Sequence, residues 1–134
     1  MDKPYSEVNI EDVNVWCEST KGVMGVEEVV KKLEFKIQSL RGRKCYGVLF
    51  GSPKDGLYRA CVSMKKEDKF DDIEKWIIPG GKYMKTKIGE WEKNPGLIGA
   101  TFGRMFDECK VDETRPCIEY YRSQRELILL VPVK

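Results

Sequence analysis

Residues 44–65 read KCYGVLF, GSPKDG and LYRACVSMK in succession, and the fold follows from the way these three pieces alternate. Lys44–Phe50 and Leu57–Lys65 are short runs of apolar and β-forming residues, each the length of a strand. Between them, Gly51-Ser52-Pro53-Lys54-Asp55-Gly56 contains the residues that turns require. Two strands joined by so short a link predict an antiparallel hairpin. Immediately upstream, Val26, Val29, Val30, Leu33, Ile37 and Leu40 fall on one face of a helix, predicted over 26–40 and stopped by Gly42. Before that helix, Val13–Cys17 alternates as a strand does, and Lys21-Gly22 interrupts it. The basic cluster Arg41-Gly42-Arg43-Lys44 lies where a helix should end, a place where cations are favoured by the exposed carbonyls.

The same order of elements returns downstream. Lys65–Asp72 is a charged stretch and reads as a solvated loop, followed by a linking strand over Ile73–Ile78 and a turn at Pro79-Gly80-Gly81. Lys82–Ile88 is the next strand. Asn94-Pro95 opens a helix, with Asn as cap and Pro in the first helical position. That helix should run to about Cys109 with Ile98, Phe102, Met105, Phe106 and Cys109 on one face. Gly99 and Gly103 each cost on the order of 1 kcal/mol relative to Ala, which predicts that another backbone approaches them closely. Pro116–Arg122 and Glu126–Val133 close the chain as strands, joined through Ser123-Gln124-Arg125. The chain therefore repeats a βαββ unit. We expect a single α+β domain over 1–134 with halves at about 8–65 and 81–134, packed about a pseudo-twofold axis with a cleft between them.

Composition narrows the function. With 41% apolar and 34% charged residues, the chain is globular, and none of its apolar runs reaches the roughly 20 residues of a membrane helix. The first residues lack the apolar segment of a secretory signal, so a cytoplasmic location is expected. The 24 basic and 22 acidic residues give a net charge of +2, which does not suggest direct nucleic-acid binding. The five cysteines form no CxxC pair and are read as reduced, mostly buried thiols. Histidine is absent. That excludes a Cys-His zinc site, a Ser-His-Asp triad and a Cys-His dyad, and leaves carboxylates, Tyr, Lys or Cys for any catalysis. Neither a metal nor a cofactor is expected.

Trp76-Ile77-Ile78-Pro79-Gly80-Gly81-Lys82-Tyr83, Pro116-Cys117-Ile118-Glu119-Tyr120-Tyr121 and the closing Leu129-Leu130-Val131-Pro132-Val133-Lys134 resemble, in this order, motifs of the GyrI-like small-molecule-binding domains. Tyr46-Gly47-Val48 and Tyr58-Arg59-Ala60-Cys61-Val62 are similar to strands of the same family. The resemblance covers nearly the whole chain. It implies two βαββ modules in a largely antiparallel sheet of about eight strands with two helices, and a pocket between the modules holding a glutamate and several aromatics. The family includes effector-binding domains of multidrug-responsive transcription activators, a DNA gyrase inhibitory protein, and stand-alone members, some of which hydrolyse cyclopropane rings of DNA-alkylating compounds. The activators carry a separate DNA-binding domain, and none is expected within these 134 residues.

Glu119 is the principal candidate. In a strand it shares a face with Cys117 and Tyr121, while Ile118 and Tyr120 face the other way. A carboxylate in such a strand is either solvent-facing and paired with Lys or Arg, or buried against a ligand that compensates it; the resemblance favours the second. Tyr46, Tyr58, Trp76, Tyr83 and Tyr121 are the aromatic candidates for stacking on a flat molecule or holding a cation over a ring face; packing within the core is the other use for each. The family's motifs favour Tyr58 and Tyr121. Trp16 and Trp91 are read as packing or surface residues, and Met24, Met64 and Met105 as either pocket wall or core. The expected function is binding of a hydrophobic, cationic or planar small molecule. The alternatives are hydrolysis of a strained cyclopropane with Glu119 and Tyr121 as catalytic residues, and interaction with DNA gyrase or a regulator. A monomer or weak dimer is expected.

Overall fold

The computed structural model describes residues 5–123 and 125–134; Gln124, in the predicted connection between the last two strands, lies outside them. Eight strands and two helices follow one another as β1 (Ser6–Ile10), β2 (Val13–Lys21), α1 (Val26–Ile37), β3 (Cys45–Phe50), β4 (Leu57–Ser63), β5 (Glu74–Ile78), β6 (Gly81–Gly89), α2 (Gly96–Glu108), β7 (Cys117–Tyr121) and β8 (Glu126–Pro132). A short 3-10 turn precedes each helix, at Val23–Gly25 and Trp91–Lys93. All eight strands form one curled, antiparallel sheet in the order β1-β6-β8-β7-β3-β4-β2-β5. The hairpin over 44–65 is β3–β4, with Cys45 opposite Val62 and Phe50 opposite Leu57.

The strand order has a symmetry that local patterns do not reveal. β6-β8-β7 on one side mirrors β2-β4-β3 on the other, and β7 meets β3 in the middle. Each half also lends its leading strand across the molecule. β1, which precedes β2, pairs with β6; β5, which precedes β6, pairs with β2. The element reading above contains β5 but not β1, whose SEVNI sequence is short and mostly exposed.

Three apolar clusters hold the sheet. Val29, Leu33 and Ile37 of α1 pack on Trp16, Tyr58, Ala60 and Val62. Met105 of α2 packs with Leu127, Leu129 and Val131 of β8. The alternate residues of the strands, among them Val15, Val48, Ile78, Tyr83 and Ile118, make the core of the opposite face. Both helices thus lie on one face of the sheet. No helix among the described residues is long and apolar enough to cross a membrane.

Several local expectations are corrected. α1 stops at Ile37 because Gln38 takes a left-handed conformation, φ 72°, and returns its N–H to the Glu34 carbonyl; Gly42 has a positive φ only farther along the loop. α2 begins at Gly96, and the Asn94 side chain does not cap it. Gly99 and Gly103 meet no neighbouring element, since a Cβ at either would find nothing within 4 Å. Phe106 is also largely exposed, so the buried stripe of α2 is narrower than its apolar residues suggest.

The Lys65–Asp72 stretch is exposed at most of its positions, as expected, but is also anchored at Asp68. The Arg43 guanidinium grips both oxygens of Asp68 at 2.7 and 2.5 Å, and the Trp16 indole N–H and the Lys65 N–H donate to the same carboxylate. The two ionic side chains are only 6% and 4% exposed, so the pair is shielded from water, and it holds the Asp68 carboxyl well below the usual carboxylate range. Arg43, read as a helix-end cation, is one arm of this clamp. Phe70 and Ile73, flanking the end of the stretch, pack into the α1 cluster.

Candidate functional site

The site begins with strand parity. On β7, Cys117, Glu119 and Tyr121 point to the helix-bearing face, and Ile118 is fully buried on the other. On β4, Tyr58 points to the same helix-bearing face with Ala60 and Val62. Between these strands lies β3, where Gly47 is opposite Glu119 and Leu49 is opposite Tyr58. A Cβ on Gly47 would sit 2.0 Å from the Tyr58 hydroxyl and 2.5 Å from a Glu119 oxygen. Gly47 therefore leaves, at the middle of the sheet, the space in which these groups meet.

The Tyr58 and Tyr121 hydroxyls both donate to Oε1 of Glu119, at 3.1 and 2.8 Å. Burial drives the Glu119 carboxyl above its ordinary pKa, and the two hydrogen bonds oppose that shift without cancelling it. Among the described residues no Lys or Arg forms an ion pair with Glu119. Burial and the neighbouring carboxylate push both tyrosine hydroxyls far above their usual range, so they remain donors. Cys117 is pushed up to about 12 by burial, with the Glu119 charge adding to it.

Above this triad is a cavity of about 420 Å³. Tyr58 and Tyr121 border it directly, and their hydroxyls reach the half-buried Glu119. Val26 and Val30 of α1 form one apolar wall, Ala60 and Val62 continue the floor, and Trp91 closes the side nearest α2. The Trp91 ring stands edge-on to Tyr121 at 5.2 Å between centroids, and its indole N–H donates to the Ser123 carbonyl. A cation in this cavity would meet aromatic faces and hydroxyl oxygens whose protons are already committed to a buried carboxylate.

Of the six residues singled out as ligand contacts, the structure brings Tyr58, Glu119 and Tyr121 together. Tyr46 borders the cavity from β3, but its ring stacks on Tyr120 at 5.1 Å among the residues of the opposite face. Trp76 and Tyr83 lie away from the cavity, on that opposite face. Trp76 stands edge-on to Phe50 and beneath the Arg59 guanidinium, which is ion-paired with Glu74. Tyr83 is fully buried, donates to the Pro79 carbonyl at 2.6 Å and carries Arg115 over its ring. Alternation along β5 and β6 is the reason. Trp91, read as packing or surface, is the aromatic that the sequence reading missed; its signal was a lone indole in a polar turn following a strand.

No protein-family model and no curated protein matches the sequence. Solved structures share the fold across 97% of this chain. They include an integron cassette protein from the mobile metagenome of Vibrio cholerae, 16% identical over 95% of its own chain with a TM-score of 0.70. The protein SAV2435 bound to tetraphenylphosphonium is 11% identical over 93% of its chain, TM-score 0.69. The C-terminal domain of EcmrR is 10% identical over 96% of its chain, TM-score 0.71. At these identities the likeness is one of fold.

Proposed function

We propose that this chain is a GyrI-like small-molecule-binding domain whose cavity holds a hydrophobic, cationic, at least partly planar organic ligand. The observation that carries this reading is Glu119: a half-buried carboxylate beside an apolar cavity, its pKa raised by desolvation, held by two tyrosine hydroxyls and by no protein cation among the described residues. Its burial is costly when ionised, and a ligand cation above the hydroxyls would offset that cost. The fold neighbour bound to tetraphenylphosphonium supports a ligand of this class. Catalysis asks for a base within reach of water or substrate. Oε1 of Glu119 already accepts from both the Tyr58 and Tyr121 hydroxyls, an arrangement better suited to holding a cation than to activating water.

The test is thermal unfolding with tetraphenylphosphonium and a panel of cationic, neutral and anionic dyes. At a ligand concentration 100 times the dissociation constant, the fold should gain roughly 2.7 kcal/mol. Cations should stabilise, anions should not, and Glu119→Gln should remove most of the effect of cations while remaining folded. No stabilisation by any cation, or equal stabilisation by anions, would refute the reading.

A further inference from the structure

Among the described residues, the charged side chains bordering the cavity are of one sign: Glu34 and Glu92 line it, and no Lys or Arg does. Both residues are exposed, whereas Tyr58 at the other end is buried, so the two carboxylates mark the opening and the Glu119 group marks the base. They come from two different elements: Glu34 from α1 and Glu92 from the 3-10 turn beside Trp91.

Glu34 is not an ordinary surface residue of its helix. Val26, Val30 and Glu34 are spaced four apart, which puts them in one row along α1, and all three border the cavity. The row starts apolar and ends in a carboxylate at the opening. The Glu34 charge also reaches the Cys45 thiol on the cavity wall, adding to the upward push that burial gives it. Among the described residues neither Glu34 nor Glu92 forms an ion pair with a Lys or Arg, although Glu27 of α1 pairs with Lys31 and Glu90, just before the 3-10 turn, with Lys93.

We infer that the site is built for dications: an aromatic body lying between the apolar walls, one cationic end over the Tyr58–Glu119–Tyr121 group and a second cationic end at the Glu34–Glu92 opening. The inference rests on the reading of the cavity as a cation site and goes further in assigning the opening a separate role. Two like charges at the mouth of a low-dielectric cavity also disfavour anions before they enter.

Ethidium and propidium separate the two ends. They share a phenanthridinium core, and propidium carries an additional quaternary ammonium on a short arm. Affinities are read by fluorescence titration for the whole chain, for the double variant Glu34→Gln with Glu92→Gln, and for Glu119→Gln. Propidium should bind the natural chain about three- to fivefold more tightly than ethidium at low salt, the size expected of exposed ion pairs. The preference should vanish in the double variant, and it should fall when ionic strength is raised from about 0.01 M to about 1 M, where screening shortens from about 30 Å to about 3 Å. Glu119→Gln should weaken both dyes and leave their ratio in place. Equal affinity for the two dyes, or a preference that survives in the double variant, overturns the dication assignment while leaving a cation cavity. Failure of both dyes and of tetraphenylphosphonium to bind the natural chain removes the cavity reading, and the assignment with it.

Discussion

Gly47 and Glu119 face each other directly across the β3–β7 pair, and the carboxylate of one occupies room that any side chain on the other would need. β3 and β7 hold corresponding places in the strand order, and where they face each other one has no side chain and the other a half-buried carboxyl. The Tyr58 hydroxyl enters the same gap from β4. The Tyr58–Glu119–Tyr121 group is thus assembled from both halves.

Gly47→Ala should disrupt it. The added methyl would meet the Tyr58 hydroxyl at 2.0 Å and Glu119 at 2.5 Å, and neither is the free end of a flexible chain. We expect a loss of roughly 1–3 kcal/mol in denaturant unfolding and no cation-induced rise in melting temperature. A Gly47→Ala protein with undiminished stability and ligand response would show that the gap is not required.

Glu119 gives the fold a pH dependence of definite sign. Its folded pKa lies above its unfolded value because burial opposes ionisation. Its favourable contribution is therefore complete below the ordinary carboxylate range and is lost as pH rises through the raised folded pKa. The groups facing it are the Tyr58 and Tyr121 hydroxyls and the Cys117 thiol, all with pKa values above the neutral range. Glu119→Gln should match the natural protein at acid pH and exceed it in stability at pH about 8, while cation affinity in the natural protein rises over the same interval. Parallel pH curves for the two proteins would contradict this.

Asp68 acts in the opposite direction. Held low by Arg43, it stabilises the fold above the ordinary carboxylate range, and that stabilisation is lost as pH falls through the range toward its depressed value. Asp68→Asn should cost roughly 2–3 kcal/mol near neutral pH, since it leaves a shielded guanidinium without its carboxylate, and should flatten the acid limb of the stability curve. Urea titrations at a series of pH values measure both.

Trp91 and Trp76, two of the three tryptophans, lie on opposite faces and give a clean contrast. Trp91→Ala should weaken a cationic ligand roughly tenfold by removing one ring from the cavity. Trp76→Ala should lower stability through the loss of its contacts with Phe50 and Arg59 and leave the affinity unchanged. Binding isotherms and melting curves on the same two variants decide the matter; the reverse pattern would place the ligand on the wrong face.

The parts legible in the sequence were those with a local signature. The hairpin over 44–65 is announced by its turn residues, and α1 by the spacing of Val29, Leu33 and Ile37. The Glu119–Tyr121 half of the site follows from strand alternation and the motif around it. What escaped depended on distant partners. Asp68 looked solvated because its partners Arg43 and Trp16 are 25 and 52 residues away. β1 has too few apolar residues to declare itself and exists as a strand because β6 offers it an edge. Trp76 and Tyr83 look like site aromatics in a list of motifs, and only their pairing shows which face they take.

The exchange of leading strands has one more consequence. β1 borders the sheet beside β6, and β5 borders it beside β2, so neither half owns its outer border. A chain severed in the 64–73 connection would become two pieces, each displaying the edge that the other was made to cover. Neither piece would be a smaller version of the whole. Together they would behave as a split protein, with the cavity between α1 and Trp91 appearing only on reunion.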